Sequence, residues 1–275
     1  MSSPKVIALY RTDRGRFALD ELGEWQPSIK STLVVGRGRN APVAYLCGVL
    51  NSELLDLWYA VRGKTPWHVR RNYEPLRMNE MPYRPAVSDP RADEVAQLVR
   101  NLAANRRALL AHREAVPRLV ATVKNPWSTG PVEVDERALL GELQAADTVS
   151  LRLDSDLELD LVEPTPAKVA RVDTRTLELR RGRRAIGRIV GDRARLDLLE
   201  RILDGKADEL VADTRLPKDA AAFAEQIEER RKVVQRLLEE GRELVERVER
   251  LVCAIYDVPD DLTEQVVSHA IGRSS

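Results

Sequence analysis

The sequence has little of several residue types on which common functional sites depend. It contains two cysteines, three histidines and 4% aromatic residues in 275 positions. Cys47 and Cys253 both lie in apolar stretches, which favours buried free thiols over a disulfide or a catalytic thiol. The histidines are scattered and no paired cysteine spacing accompanies them, so the sequence predicts no zinc site.

Net charge and long apolar runs are also missing. The 44 basic and 44 acidic residues cancel, so any affinity for nucleic acid must come from local clusters of one sign. No window approaches the ~18 apolar residues of a membrane span, and the first residues, MSSPKVIALYR, lack a signal-peptide core. We therefore expect a cytoplasmic protein that does not bind a membrane.

Residues 1–90 predict a lobe of mixed α and β structure. The segments VIALYR and RFALD flank a turn-like stretch and predict a β-hairpin, and STLVV predicts a third strand. Pro42 then opens one apolar helix, APVAYLCGVLNSELLDLWYAV, because proline is favoured at the start of a helix. Prolines punctuate the following segment as far as residue 90, which predicts loops.

Two series of apolar residues with a seven-residue period predict two long helices, one over residues 91–124 and one within residues 217–275. Antiparallel pairing of the two series places Val95 opposite Ile255 and Leu109 opposite Gly241, which predicts a coiled-coil-like helical hairpin. A shorter closing helix follows in the same C-terminal segment. Residues 130–216, between the long helices, alternate polar and apolar residues and predict a small β-rich module. The predicted fold class is therefore α+β.

Basic residues gather in three places despite the neutral total. GRGRNA formally fits a dinucleotide-binding pattern, but Asp56 lies inside the next helix and not at the end of a second strand, which favours a basic loop. The other two runs, at residues 62–77 and 180–195, are dominated by arginine, whose planar fork bonds phosphates or a guanine edge. A solvated charged face is the common alternative for such a run. The candidate DNA-binding residues are Arg37, Arg39, Arg62, Lys64, His68, Arg70, Arg71, Tyr73, Arg180, Arg181, Arg183, Arg184 and Arg188.

The order of these segments resembles the TaqI-like C-terminal specificity domain of type II adenine-specific DNA methyltransferases. The resemblance lies in PKVIALYRTDRGRFALDELGEW, YLCGVLNSELLDLWYA, the basic loop and MNEMPYRP, and in the tail LVCAIYDVPDDLTEQV. The family's leucine-asparagine-serine signature corresponds to Leu50, Asn51 and Ser52, and its short segment ending in proline corresponds to Met81 and Pro82. The β-rich middle matches by position only.

The resemblance implies a module that recognises a DNA sequence within a restriction-modification or phage-defence system. Family members carry an adenosylmethionine-binding catalytic domain ahead of this region, so we expect double-stranded DNA and a methyltransferase catalytic subunit or domain as partners. S-adenosylmethionine is expected on that partner, and no cofactor or catalytic residue is expected in this chain. The alternative from another class is a non-enzymatic scaffold that holds a protein partner on its helical hairpin.

Overall fold

The structure is a computed structural model of the chain. It describes residues 3–9, 11–12, 17–26, 31–34, 42–62, 71–73, 78–114, 148–150, 152–153, 168–203 and 215–272. The predicted β-rich segment and the predicted first long helix are therefore described in part.

The described residues form short strands and longer helices. The strands are β1 (Lys5–Leu9), β2 (Arg11–Thr12), β3 (Phe17–Asp20), β4 (Ser31–Val34), β5 (Arg71–Asn72), β6 (Thr148–Ser150), β7 (Arg152–Leu153), β8 (Lys168–Asp173), β9 (Thr176–Arg181), β10 (Arg184–Val190) and β11 (Arg215–Pro217). The helices are α1 (Val43–Asn51), α2 (Glu53–Arg62), α3 (Arg91–Glu114), α4 (Arg193–Leu203), α5 (Ala220–Ile255) and α6 (Asp260–Gly272). A 3₁₀ turn, Ala86–Ser88, precedes α3. Helices and small antiparallel sheets together make this an α+β chain, as the sequence predicts.

The chain divides into two compact units. Unit 1 comprises Met1–Ala111, Val120–Val132 and Gln235–Ser275, and unit 2 comprises His112–Leu119 and Glu133–Val234. Helix α5 therefore contributes its N-terminal part to unit 2 and its C-terminal part to unit 1.

Unit 1 contains a three-stranded sheet in the order β3-β1-β4. Strands β1 and β3 pair antiparallel, which confirms the predicted hairpin, and β4 pairs with the other edge of β1. Asn51, the last residue of α1, ties that helix to the sheet: it accepts the Phe17 N–H at 3.0 Å and donates to the Phe17 carbonyl at 2.7 Å. The asparagine of the signature is thus a structural link between α1 and β3.

The prediction of one continuous helix from Pro42 is wrong. Helix α1 ends before Ser52, which has an extended backbone conformation with a ψ of 146°. Helix α2 begins at the next residue. The Ser52 hydroxyl donates to the Val49 carbonyl at 2.7 Å and accepts the Leu55 N–H at 3.3 Å, so it closes α1 and caps α2. Apolar periodicity continues across this break, which is why the sequence pattern did not reveal it.

Helices α3 and α5 run antiparallel within unit 1, but in a register different from the predicted one. Arg247 bonds Glu94 at 3.0 Å, and the Asn105 side-chain amide donates to the Leu237 carbonyl at 2.9 Å. Val95 therefore lies beside Arg247 and Val248, about two turns from Ile255. A shift of about one heptad preserves a seven-residue apolar pattern, so the pattern alone does not set the register.

Unit 2 contains a four-stranded antiparallel sheet in the order β7-β10-β9-β8 and a two-stranded ladder of β11 with β6. Leu177, Leu179 and Ile189 are fully buried on these strands, and Leu196 and Leu199 are fully buried on α4. These residues form the apolar contact that holds α4 against one face of the sheet.

Both cysteines are free and buried, as predicted. Burial raises the pKa of the Cys47 thiol to about 12 and that of Cys253 to about 11, so neither is a thiolate at neutral pH. Among the helices in the described ranges, none has the length and apolar character required to cross a membrane.

Candidate nucleic-acid interface

The candidate interface is the hairpin formed by β9 and β10 in unit 2. Arg181 pairs with Arg184 across a two-residue loop, Gly182 and Arg183, in which Gly182 has a φ of +62°. Tight hairpin turns require such a positive φ, and glycine adopts it without strain. The loop thus brings the ends of two arginine-rich strands together. We call this feature the arginine hairpin.

Four arginine side chains of the arginine hairpin are exposed: Arg180, Arg183, Arg184 and Arg188. Strand β8 adds an exposed lysine, because Lys168 is the direct cross-strand neighbour of Arg180. Within the described part of the chain, no ion pair forms at Arg183 or Arg184. The hairpin therefore presents a concentrated positive charge in a chain whose total charge is zero.

One carboxylate lies within this positive surface. Glu178 is 6% exposed and is the direct cross-strand partner of Arg188. Its Oε1 lies 2.5 Å from the Arg180 Nε, and its Oε2 lies 3.5 Å from the Arg188 Nε. The hydrogen bond from Arg180 lowers the pKa of Glu178, so this carboxyl group is ionised at neutral pH.

Helix α4 covers one face of the arginine hairpin. Arg171, the cross-strand partner of Leu177, bonds Glu200 at 3.0 Å and Asp197 at 2.6 Å, both on α4. Helix α4 therefore covers the face that carries Leu177. Since successive side chains of a strand point to opposite faces, Glu178, Arg180 and their neighbours lie on the face that α4 leaves open.

Apart from Arg181, the other predicted site residues belong to the N-terminal part of the chain. Arg62 is exposed at the last position of α2. Arg71 lies in β5, which pairs with β2, and Arg181 lies in β9; their side chains are outside the described set. Five further candidates fall outside the described residues: Arg37, Arg39, Lys64, His68 and Arg70.

Tyr73 is 1% exposed and belongs to the core of unit 1. Its ring stacks on Tyr59 with centroids 4.6 Å apart and meets the edge of Phe17 at 5.3 Å. The hydroxyl group donates to Asp56 at 3.2 Å. These contacts leave no ring face for a base to stack on, so Tyr73 is not part of the exposed surface.

A buried polar cluster in unit 1 was not predicted from the sequence. Glu53 opens α2 and donates its backbone N–H to both carboxylate oxygens of Glu249 on α5, at 2.9 and 3.1 Å. The Glu53 side chain lies 2.6 Å from the Nδ1 of His269 on α6. The cluster therefore connects three helices, at the point where the break at Ser52 exposes the first amide of α2.

Burial raises the pKa of Glu249 to about 8, and the nearby Glu53 and Asp56 carboxylates act in the same direction. The Glu53 N–H bond opposes this shift and does not cancel it. Glu249 is 3% exposed. The physical cause is desolvation, which disfavours the charged form of a carboxyl group.

The segments that carry the family resemblance meet in unit 1. The Tyr256 hydroxyl donates to the Pro82 carbonyl at 2.6 Å. Arg84 donates to the Ile255 carbonyl and to Asp257, both at 2.6 Å, and its guanidinium lies 5.6 Å from the Tyr256 ring centroid. Arg84 thereby supplies a donor to a carbonyl group at the C-terminal end of α5.

No group of three or more histidine, cysteine, aspartate or glutamate side chains suited to a metal ion occurs in the part of the chain that the structure describes. A scan against protein-family models, a search of curated proteins and a search of solved structures each found no match for this chain. The candidate function therefore depends on the geometry of the arginine hairpin and on the sequence motifs.

Proposed function

We propose that the chain is a sequence-specific DNA-recognition module, with the arginine hairpin as a DNA-contacting element. The observation that supports this most directly is the set of four exposed arginines at and near a tight turn, of which Arg180 and Arg188 lie on the sheet face that α4 does not cover. A two-stranded β-ribbon fits the major groove of B-form DNA, and arginine is the side chain best suited to both phosphates and base edges. Arg183 and Arg184, which form no ion pair with any residue that the structure describes, would contact phosphates, which contribute most of the affinity.

The wider proposal is that this module serves an adenine DNA methyltransferase of a restriction-modification or phage-defence system. It is supported by the sequence resemblance and by the direct contact between its motif segments at Tyr256 and Pro82. In this proposal α3 and α5 form a helical hairpin that carries the β-rich segment between them in the sequence, and a partner chain or domain supplies catalysis. A methyl-transfer assay on the isolated chain is expected to show no transfer.

Titration of a fluorescent duplex with the full chain tests DNA binding. We expect binding at low salt, and the logarithm of the association constant should fall linearly with the logarithm of salt concentration. The double variant Arg183→Ala, Arg184→Ala should bind more weakly and reduce the salt slope by about 2, because each lost phosphate contact removes about one unit.

The matched control is the double variant Arg193→Ala, Arg236→Ala. Both residues are exposed arginines, one at the first position of α4 and one on α5. This control removes the same amount of charge, but at positions outside the arginine hairpin. It should therefore retain the salt slope of the wild type. Equal weakening by both double variants would show that only total charge matters, and absence of binding by the wild type would favour the protein-interaction scaffold.

A further inference from the structure

The position of Glu178 suggests a role beyond charge balance. A carboxylate in the middle of an anion-binding surface opposes phosphate binding, yet this one is nearly buried and bonded to two arginines. Each of its oxygens engages a different arginine, and each engagement uses the arginine Nε. Within the described residues, the terminal nitrogens of Arg180 and Arg188 make no hydrogen bond. In each of these guanidinium groups, Glu178 therefore holds the Nε, and the two terminal nitrogens can bind a ligand. Half or more of each side chain is exposed.

Anchoring changes which ligand these two arginines favour. With Glu178 between them, the three side chains carry a net charge of one, which reduces attraction to the DNA backbone. Directional hydrogen bonding by the open ends is unaffected, and an anchored side chain loses less conformational entropy on binding. The commonest base-specific contact of arginine is a bidentate pair of hydrogen bonds to the O6 and N7 of guanine. The arrangement thus favours guanine edges over phosphates.

The register of the sheet also sets the spacing of the two forks. Arg188 lies directly opposite Glu178, and Arg180 lies two residues further along β9, so Arg180 and Arg188 are diagonal neighbours on one face, with a register shift in β10 between Ala185 and Gly187. Diagonal neighbours in an antiparallel pair are about 7–8 Å apart. Base pairs in DNA are stacked about 3.4 Å apart. The two side chains therefore leave the sheet at points about as far apart as two base pairs separated by two steps.

We propose that Glu178 is a positioning residue that holds Arg180 and Arg188 as a pair for two guanines about two base steps apart in the major groove. This inference rests on the proposed DNA-binding function and specifies the ligand of the same surface. Arg183 and Arg184, at the turn, contribute affinity, whereas the anchored pair contributes base preference.

Selection from a random duplex pool tests this inference. The full chain is incubated with duplexes carrying a randomised central segment, and bound duplexes are recovered and sequenced. We expect the wild type to enrich guanine at two positions about two steps apart. The Glu178→Gln variant should lose that enrichment while binding unselected duplex at least as tightly, with a salt slope steeper by about one to two, because both arginines become available to phosphates.

Two further variants make the result specific. Glu200→Gln removes a carboxylate that bonds Arg171 on the covered face of the same sheet, and it should retain the enrichment. The double variant Arg180→Lys, Arg188→Lys keeps both charges and removes the planar forks, so it should bind unselected duplex without guanine enrichment. This variant also tests the inference if Glu178→Gln proves unfolded by circular dichroism.

The possible failures are distinguishable. If the wild type binds no duplex at low salt, the proposed function itself is wrong. If the wild type binds DNA without guanine enrichment, or if Glu178→Gln or the double lysine variant enriches guanine as the wild type does, the role of Glu178 is wrong and DNA binding stands. Loss of enrichment in Glu200→Gln would likewise overturn it, because the effect would then arise from the sheet as a whole.

Discussion

Replacing Glu249 by glutamine should change how the stability of the protein depends on pH. Glu249 is buried on α5, and its two oxygens accept the first amide of α2. Its pKa is raised from 4.5 to about 8 in the folded chain. The folded state therefore holds a proton more tightly than the unfolded state. The contribution of protonated Glu249 to the free energy of unfolding is fully present below about pH 4.5. It is lost as the pH rises to about 8.

The size of the effect follows from the shift in pKa. The shift is about 3.5 units, and one unit corresponds to about 1.4 kcal/mol, so ionisation of Glu249 costs at most about 5 kcal/mol. Movement of the carboxylate toward water would reduce this value. Glutamine resembles the protonated acid, since it keeps an oxygen to accept the Glu53 N–H and has no charge. Glu249→Gln should therefore match the wild type near pH 4.5 and exceed its stability by up to that amount above about pH 8.

Urea unfolding followed by far-ultraviolet circular dichroism, repeated across this pH range, measures the difference. Other ionisable groups near Glu249 are Glu53, Asp56, His269, Cys253 and Arg250, and both proteins retain them. Subtracting the two stability curves therefore isolates Glu249. Parallel curves across the range would refute the reasoning, because they would mean that Glu249 titrates alike in the folded and unfolded chain.

Glu246→Gln is the matched control. Glu246 lies one turn before Glu249 on α5, is 39% exposed on its side chain and pairs with Arg250 at 3.0 Å. An exposed ion pair contributes at most about 1 kcal/mol, so this variant should show a small change that varies little with pH. A large pH-dependent gain in the control would assign the effect to the helix surface.

Two further predictions concern packing in unit 1. Gly48→Ala should destabilise the protein by about 1–3 kcal/mol in urea unfolding, because an added Cβ would lie 2.8 Å from a Val95 methyl group. Gly272→Ala is the control: an added Cβ there has no atom within 4 Å, so its effect should stay within about 0.5 kcal/mol. Asn105→Leu should stabilise the protein by about 1 kcal/mol, because the Asn105 Oδ1 is buried and accepts no hydrogen bond within the described residues. The Leu237 carbonyl loses the bond from Asn105 but remains within helix α5, where backbone amides can bond it. Equal effects of the two alanine variants, or a loss of stability in Asn105→Leu, would contradict this account of the packing.

Local patterns predicted the elements that depend on neighbouring residues in the sequence. Strands β1 and β3 were predicted because turn residues separate two alternating segments, and α3 and α5 were predicted because apolar residues recur every seven positions. Each signal is contained within about thirty residues.

Features that depend on distant residues were missed. The break at Ser52 leaves the first amide of α2 for Glu249, which lies 196 residues further along the chain. The register of α3 against α5 depends on single polar contacts such as the one from Asn105 to Leu237. A heptad pattern is unchanged by a shift of one repeat, so it contains no information on this choice.

The candidate site shows the same limit. Composition identified the arginines of the hairpin, because seven lie within residues 180–195. Glu178 was not singled out, since its role depends on lying opposite Arg188 and two residues from Arg180, which only the strand register reveals. Tyr73 was expected at the surface because arginines precede it, yet Tyr59 and Phe17 hold its ring in the core.

The assembly of unit 1 from both ends of the sequence has a consequence for synthesis. Its core combines α1 and α3 with Val245, Val248 and Val252 of α5. At about 5–20 residues per second, a ribosome makes α5 roughly 5 to 30 seconds after α3. Until then, the apolar side of α1 and α3 lacks its partner. The sheet of unit 2 is complete earlier, so unit 1 begins before unit 2 along this sequence and finishes folding after it.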